Sequence, residues 1–210
     1  MSDRGVDFLL LRIAQLKGMA SPELLCTAAL GVEDAIEQRI AGLVAAGWLQ
    51  NLPRGVRVTP AGREWLSERL REEARAADRD ACALVYESFV APNRAFKQLI
   101  YDWQIRGTNG ASVPNDHRDA AYDQAVLERL DDTHRAILPV LDAASAIAPR
   151  LRMYSSRLSA ARQRVAAGET RWLAAPLVDS YHTVWFELHE DLLSVAGLNR
   201  SDEARAGRAD

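Results

Sequence analysis

The sequence predicts a mainly α protein in two parts. A small N-terminal domain over residues 1–70 carries one β-hairpin. An all-helical domain follows over 71–198, and a polar tail at 199–210 is expected to be disordered. Three observations predict this. Apolar residues Ile36, Ile40, Leu43 and Val44 keep a helical period that stops at Ala45-Ala46-Gly47. Two short β-like runs, Trp48–Leu52 and Val56–Thr59, flank Pro53-Arg54-Gly55, and Thr59-Pro60 then opens another helix. Everything after Leu66 keeps helical spacing and shows no strand pattern.

In order, Val6 to about Lys17 reads as a helix through Phe8, Leu9, Leu11, Ile13 and Leu16, with Gly18 as its stop. Ser21 suits the cap of a second, short helix, and Pro22 its first position, where no amide hydrogen is needed. That helix ends at Gly31. The third runs from about Glu33 to Ala46, and Gly47 ends it. Gly55 supplies the backbone freedom of a tight hairpin turn. Thr59 caps the fourth helix, which continues through Trp65, Leu66 and Leu70.

Helix, hairpin, helix in that order is the second half of a winged helix-turn-helix. Leu43-Val44-Ala45-Ala46-Gly47-Trp48-Leu49, then Val56-Arg57-Val58-Thr59-Pro60-Ala61-Gly62-Arg63, resembles the winged-helix regulators of the MarR and PadR type. Those families commonly show L..AGWL, a short wing and LTPAGR at this spacing. The likeness covers about a third of the chain. It implies a winged-helix fold and, as an expectation, DNA binding, with the third helix in the major groove and the wing on the backbone or in the minor groove.

With Ile36, Ile40 and Leu43 facing inward, the outward positions of the third helix are Asp34, Gln38, Ala41 and Ala45. Gln38 can pair with an adenine edge, and Arg39 on the flank can reach a phosphate or a guanine. Arg54 and Arg57 make the wing basic, and Arg63 follows. Glu33, Asp34 and Glu37 oppose this. The first two suit a helix N-terminus but repel phosphates. Residues 1–75 hold ten Lys+Arg and ten Asp+Glu, so the module is neutral and needs dimerisation to bind DNA well.

Beyond it, Ser67–Asp80 alternates charge as a solvated helix does, and the helix is expected to run on through Tyr86 without a linker. Pro92 restarts a helix with Phe96, Leu99, Ile100 and Trp103 on its apolar face. Gly107–Pro114 reads as a loop. A helix from about Asp119 to Ile147 follows, kinked or broken at Pro139. Another runs from Pro149 to Gly168. A last one holds Trp172 through Leu192 and stops at Gly197.

All four histidines, His117, His134, His182 and His189, lie in this helical part. His182 and His189 share a helix face with Phe186 between them and Asp179 one turn earlier. On one reading they line a polar cavity for a metal or an anionic metabolite, with Trp103, Tyr122 and other aromatics as its walls. In residue types, though in no motif, one Asp and three His is similar to the set used by all-helical effector domains of FadR-type regulators. On the plainer reading each histidine satisfies a carbonyl at the core edge. There is no HExxH and no pair at i, i+4, so neither a metal nor a cofactor is expected.

The 210 residues are 48% hydrophobic and 26% charged, with a net charge of −3, as in an ordinary globular chain. Cys26 and Cys82 are far apart, in no CxxC, and read as reduced thiols. Phe8-Leu9-Leu10-Leu11 is cut short by Arg12, so no signal peptide is expected, and no apolar run reaches the roughly 18 residues of a membrane span. There is no P-loop, GxGxxG or GxSxG, so no enzyme is expected. The function expected is a cytoplasmic transcriptional regulator that binds double-stranded DNA as a homodimer. Its helical domain dimerises or senses a small-molecule effector. The alternative is a winged-helix protein-interaction module that leaves DNA alone and partners another protein or enzyme, which the acidic third helix favours.

Overall fold

Most of the chain is helix among residues 3–29, 36–108 and 111–198, which the computed structural model describes. It divides into two units, Met1–Ala77 and Asp78–Asp210, past the boundary expected at residue 70. Leu30, Gly31, Glu33, Asp34 and the 199–210 tail lie outside the described residues.

The first unit contains α1 (Asp3–Lys17), α2 (Pro22–Ala29), α3 (Ile36–Ala45), β1 (Leu49–Leu52), β2 (Gly55–Val58) and α4 (Pro60–Ala76). Helix α1 packs against α2, α3, β2 and α4. Its Val6, Leu9, Leu10, Leu11, Ile13 and Ala14 are all buried. An element covered on several sides needs apolar residues on several faces, hence its mixed spacing. Each such leucine contributes about 1.5–3 kcal/mol on burial.

Three features of the sequence between Gly47 and Arg63 have specific physical causes. Gly47 has φ 73° and closes α3, with Trp48 N donating to Leu43 O (2.9 Å) and Gly47 N to Val44 O (3.0 Å). β1 and β2 pair antiparallel from Leu49↔Val58 to Leu52↔Gly55. Ala20 adds a bridge to Val56, through bonds of 3.0 and 2.8 Å. A Cβ on Gly55 (φ 143°) would stand 2.3 Å from Ala20 O, so close approach as well as the turn requires glycine there. A Cβ on Gly62 would stand 2.2 Å from Trp48 O. Thr59 accepts from Gly62 N and donates to Gly47 O (2.6 Å), tying the start of α4 to the end of α3.

The second unit contains α5 (Arg79–Gln104), β3 (Ile105–Thr108), β4 (Ala111–Pro114), α6 (Ala120–Ile147), a 3-10 turn (Pro149–Arg152), α7 (Met153–Ala166), α8 (Arg171–Ala174) and α9 (Tyr181–Ala196). Its core includes Phe89, Phe96, Leu99, Leu130, Ile137, Tyr154, Leu158, Tyr181, Val184 and Leu188. α5 packs on α6 and α9, and α7 on α6 and α9.

Four expectations are corrected here. Helix does not run unbroken from Ser67 through Tyr86: Ala77 is extended, and Asp78 caps a new helix by accepting from Asp80 N and Ala81 N. Pro92 lies inside one continuous helix rather than starting one, and Pro139 does not break α6. Each forfeits one backbone hydrogen bond, while the long apolar stripes of α5 and α6 remain packed on each other. The region is also not all-helical, because β3 and β4 form a hairpin, Ile105↔Pro114 to Thr108↔Ala111, where a loop was expected. Ser112, Val113 and Pro114 are all exposed, so no buried alternation marks the strand. Finally, the last expected helix is two, α8 and α9, separated around Pro176, with Ser180 capping α9. Gly197 ends α9 at φ 67°, as expected.

Candidate functional site

Each unit carries an open feature. In the first it is the outer face of α3 beside the hairpin. Ile36, Ile40 and Leu43 are buried, and Glu37, Gln38, Ala41, Gly42 and Ala45 are exposed. Arg54 in the turn and Arg57 on β2 are exposed, and among the described residues no ion pair holds either. Arg39 is not on the open face. It is half-buried and its Nη1 lies 3.1 Å from Asp7 Oδ1 on α1, so the outward reach expected of it is replaced by an internal pair. Arg63 donates to Val58 O at 2.9 Å and so also braces the hairpin against α4.

In the second unit, α5 and α9 run antiparallel, as the ring pairs Phe89–Trp185, Phe96–Tyr181 and Tyr86–His189 require. Between them lies an open cleft of about 350 Å³. Phe96, Lys97 and Ile100 line it from α5, and His182, Trp185 and Phe186 from α9. Trp185 is fixed by donating its Nε1 to Asn93 Oδ1 at 2.9 Å. His182 packs beside the Phe96 ring, and loss of hydration there lowers its pKa from the usual value. His189 sits at the other end, its Nε2 3.1 Å from Tyr86 Oη.

The eight residues expected to share one pocket separate into five places. His182, Phe186 and His189 line the cleft. Trp103 stacks on His117 (4.4 Å between centroids), whose Nδ1 lies 2.9 Å from Asp123 Oδ2. Tyr122 donates to Asp102 O (2.9 Å) under the guanidinium of Arg106. His134 is buried 3.2 Å from Tyr181 Oη, and burial lowers its pKa while raising that of Tyr181. Asp179 faces Arg157. The single polar cavity of three imidazoles and a carboxylate therefore does not assemble, because the residues sit on helix faces aimed at different neighbours. Among the described residues no group of three His, Cys, Asp or Glu could hold a metal.

A buried ionic network was not foreseen. Arg157, 3% exposed, donates Nε and Nη2 to the two oxygens of Asp179 (2.8 and 2.7 Å) and Nη2 to Glu187 (2.7 Å). Arg150 Nη1 lies 2.5 Å from Asp191, which also accepts from Tyr154 Oη at 2.6 Å. Burial disfavours the charge on Arg157, but the attraction of Glu187 and Asp179 outweighs it and holds the guanidinium protonated. Burial, then Asp191 and Glu187, pushes the Tyr154 hydroxyl well above its ordinary pKa. The signal was present: Arg157 interrupts the stripe Tyr154, Leu158, Ala161, Val165, and Glu187 and Asp191 interrupt Val184, Leu188, Leu192. Charge on an apolar stripe marks a buried pair. Lys97 and Asn93 of the cleft were likewise missed. Their place at helical spacing with Phe96, Ile100 and Gln104 was legible.

No helix among the described residues is long and apolar enough to cross a membrane. Compared with family models, curated proteins and solved structures, the chain matches none.

Proposed function

We propose that this protein is a DNA-binding transcriptional regulator whose first unit is a winged helix-turn-helix of the MarR or PadR type. The observation that carries the reading is one surface: an α3 whose outer row, Gln38, Ala41 and Ala45, is open, next to a hairpin that presents Arg54 and Arg57 uncommitted. Gln38 contacts a base edge, and the two arginines contact phosphates. Arg39 and Arg63 support the module from within, through Asp7 and Val58. Ten basic and ten acidic residues in residues 1–75 make a single copy a weak binder, so the working form is a homodimer on double-stranded DNA. The second unit dimerises or binds an effector, and the protein works in the cytoplasm.

A second reading has its own support. Ala41, Gly42 and Ala45 make the outer face of α3 smooth, and Glu37 makes it acidic. Such a face also suits packing against a partner protein. Fluorescence anisotropy against random duplex DNA at low and physiological salt separates the two. Binding that weakens steeply with salt is expected from the first reading. No binding at low salt overturns it in favour of a protein partner.

A further inference from the structure

The α5–α9 cleft is large enough for more than water. Its volume of about 350 Å³ falls in the range of small-molecule sites, roughly 300–1,000 Å³. Its wall combines the aromatic faces of Phe96, Trp185 and Phe186 with the titratable side chains Lys97, Tyr101, His182 and His189, and none of the described residues lining it is Asp or Glu. Phe186 and Tyr101 are 43% and 49% exposed, a large uncovered aromatic surface at the mouth.

The polar groups of the two helices meet beside Phe96. Because the helices are antiparallel, Lys97 follows Phe96 opposite His182, whose ring centroid lies 6.1 Å from that of Phe96. Among the described residues no ion pair holds Lys97. His182 is the second residue of α9, so the positive end of that 16-residue helix dipole lies beside this polar group. Beyond Trp185, His189 Nε2 lies 3.1 Å from Tyr86 Oη. Trp185, held by Asn93, gives the middle a rigid flat wall.

We propose that this cleft binds a small organic anion with a flat apolar body, its charge held by the Lys97 ammonium with His182 as a hydrogen-bond donor, and its body laid against Phe96, Trp185 and Phe186. The site is complete within the second unit. It does not depend on the first unit reading DNA.

The test uses two dyes on the full chain without DNA. 1-Anilinonaphthalene-8-sulfonate carries the anion, and N-phenyl-1-naphthylamine is the same body without it. Saturable fluorescence enhancement by the sulfonate is expected, with the neutral dye at least about tenfold weaker. Lys97→Glu and His182→Ala, both at exposed positions, should each raise the sulfonate Kd at least about tenfold, equivalent to 1.4 kcal/mol. Lys97→Arg should keep the wild-type Kd within about threefold. Far-ultraviolet circular dichroism checks that each variant is folded. Equal affinity for both dyes, no sulfonate binding, or an unchanged Kd in folded Lys97→Glu overturns the proposal. Because nothing in the assay contains DNA, its failure and a failure to bind DNA are told apart.

Discussion

The two units use arginine in opposite ways. In the first, Arg54 and Arg57 stand exposed on a hairpin and hold no ion pair among the described residues. In the second, Arg150 and Arg157 are 7% and 3% exposed, and carboxylates of the α8–α9 link and of α9 grip them. An exposed arginine contributes little to folding and keeps its charge for a partner. A buried one cannot be spared, because removing it leaves carboxylates without compensation in a low dielectric. The contrast teaches where to look for function. The paired charges of the second unit are architecture, and Lys97 at the cleft, which no ion pair holds among the described residues, is placed as Arg54 and Arg57 are.

The contrast is broken most severely at Arg157. Arg157→Ala leaves Asp179 and Glu187 buried without their counter-charge, and a loss of about 3–5 kcal/mol in urea unfolding of the full chain is expected. A loss under 1 kcal/mol would mean that water reaches the network. Next is Gly62→Ala in the first unit. Its Cβ would meet Trp48 O at 2.2 Å, so the start of α4 must shift, at a cost of about 1–3 kcal/mol. An unchanged unfolding midpoint would remove the close approach from the account of this motif.

Smaller is the pH response of the second unit. Burial holds the folded pKa of His134 below its unfolded value near 6.5. The unfolded chain therefore takes up a proton first. Stability is complete above about pH 6.5 and declines as the pH falls toward the folded pKa. His134→Gln should flatten that decline, read as urea midpoints between pH 7 and pH 5. An unaltered slope would assign it to other groups. Smallest in stability, and largest in function, is Arg57→Ala. Its unfolding midpoint should stay within about 0.5 kcal/mol of wild type, while the slope of log K against log salt for DNA falls by about one. An unchanged slope would take the hairpin out of the proposed contact.

Much of the first unit could be read directly. Gly47 and Thr59-Pro60 act within a few residues of themselves, as stop and cap, so local chemistry names them, whereas the close approach of Gly62 to Trp48 O spans fourteen residues and was not read. The 3.6-residue period of Ile36, Ile40 and Leu43 likewise marks their buried face. The β3–β4 hairpin escaped because Ser112, Val113 and Pro114 of β4 are all exposed, and exposure leaves no alternation. Pro92 and Pro139 misled because the local cost of a proline is visible in a sequence and the packing that outweighs it is not.

For the candidate sites the same division holds. The residue types of the cleft and the presence of four histidines belong to the sequence. Which of them meet does not. His182 and His189 face α5, His134 faces Tyr181, and His117 lies on Trp103. Arg39 likewise turns inward to Asp7 while Arg54 and Arg57 stay out. Helix type and caps arise from contacts between near neighbours, so the sequence alone determined them. Pairing across elements depends on rotation and register between helices far apart in the chain, and only the tertiary structure decided it.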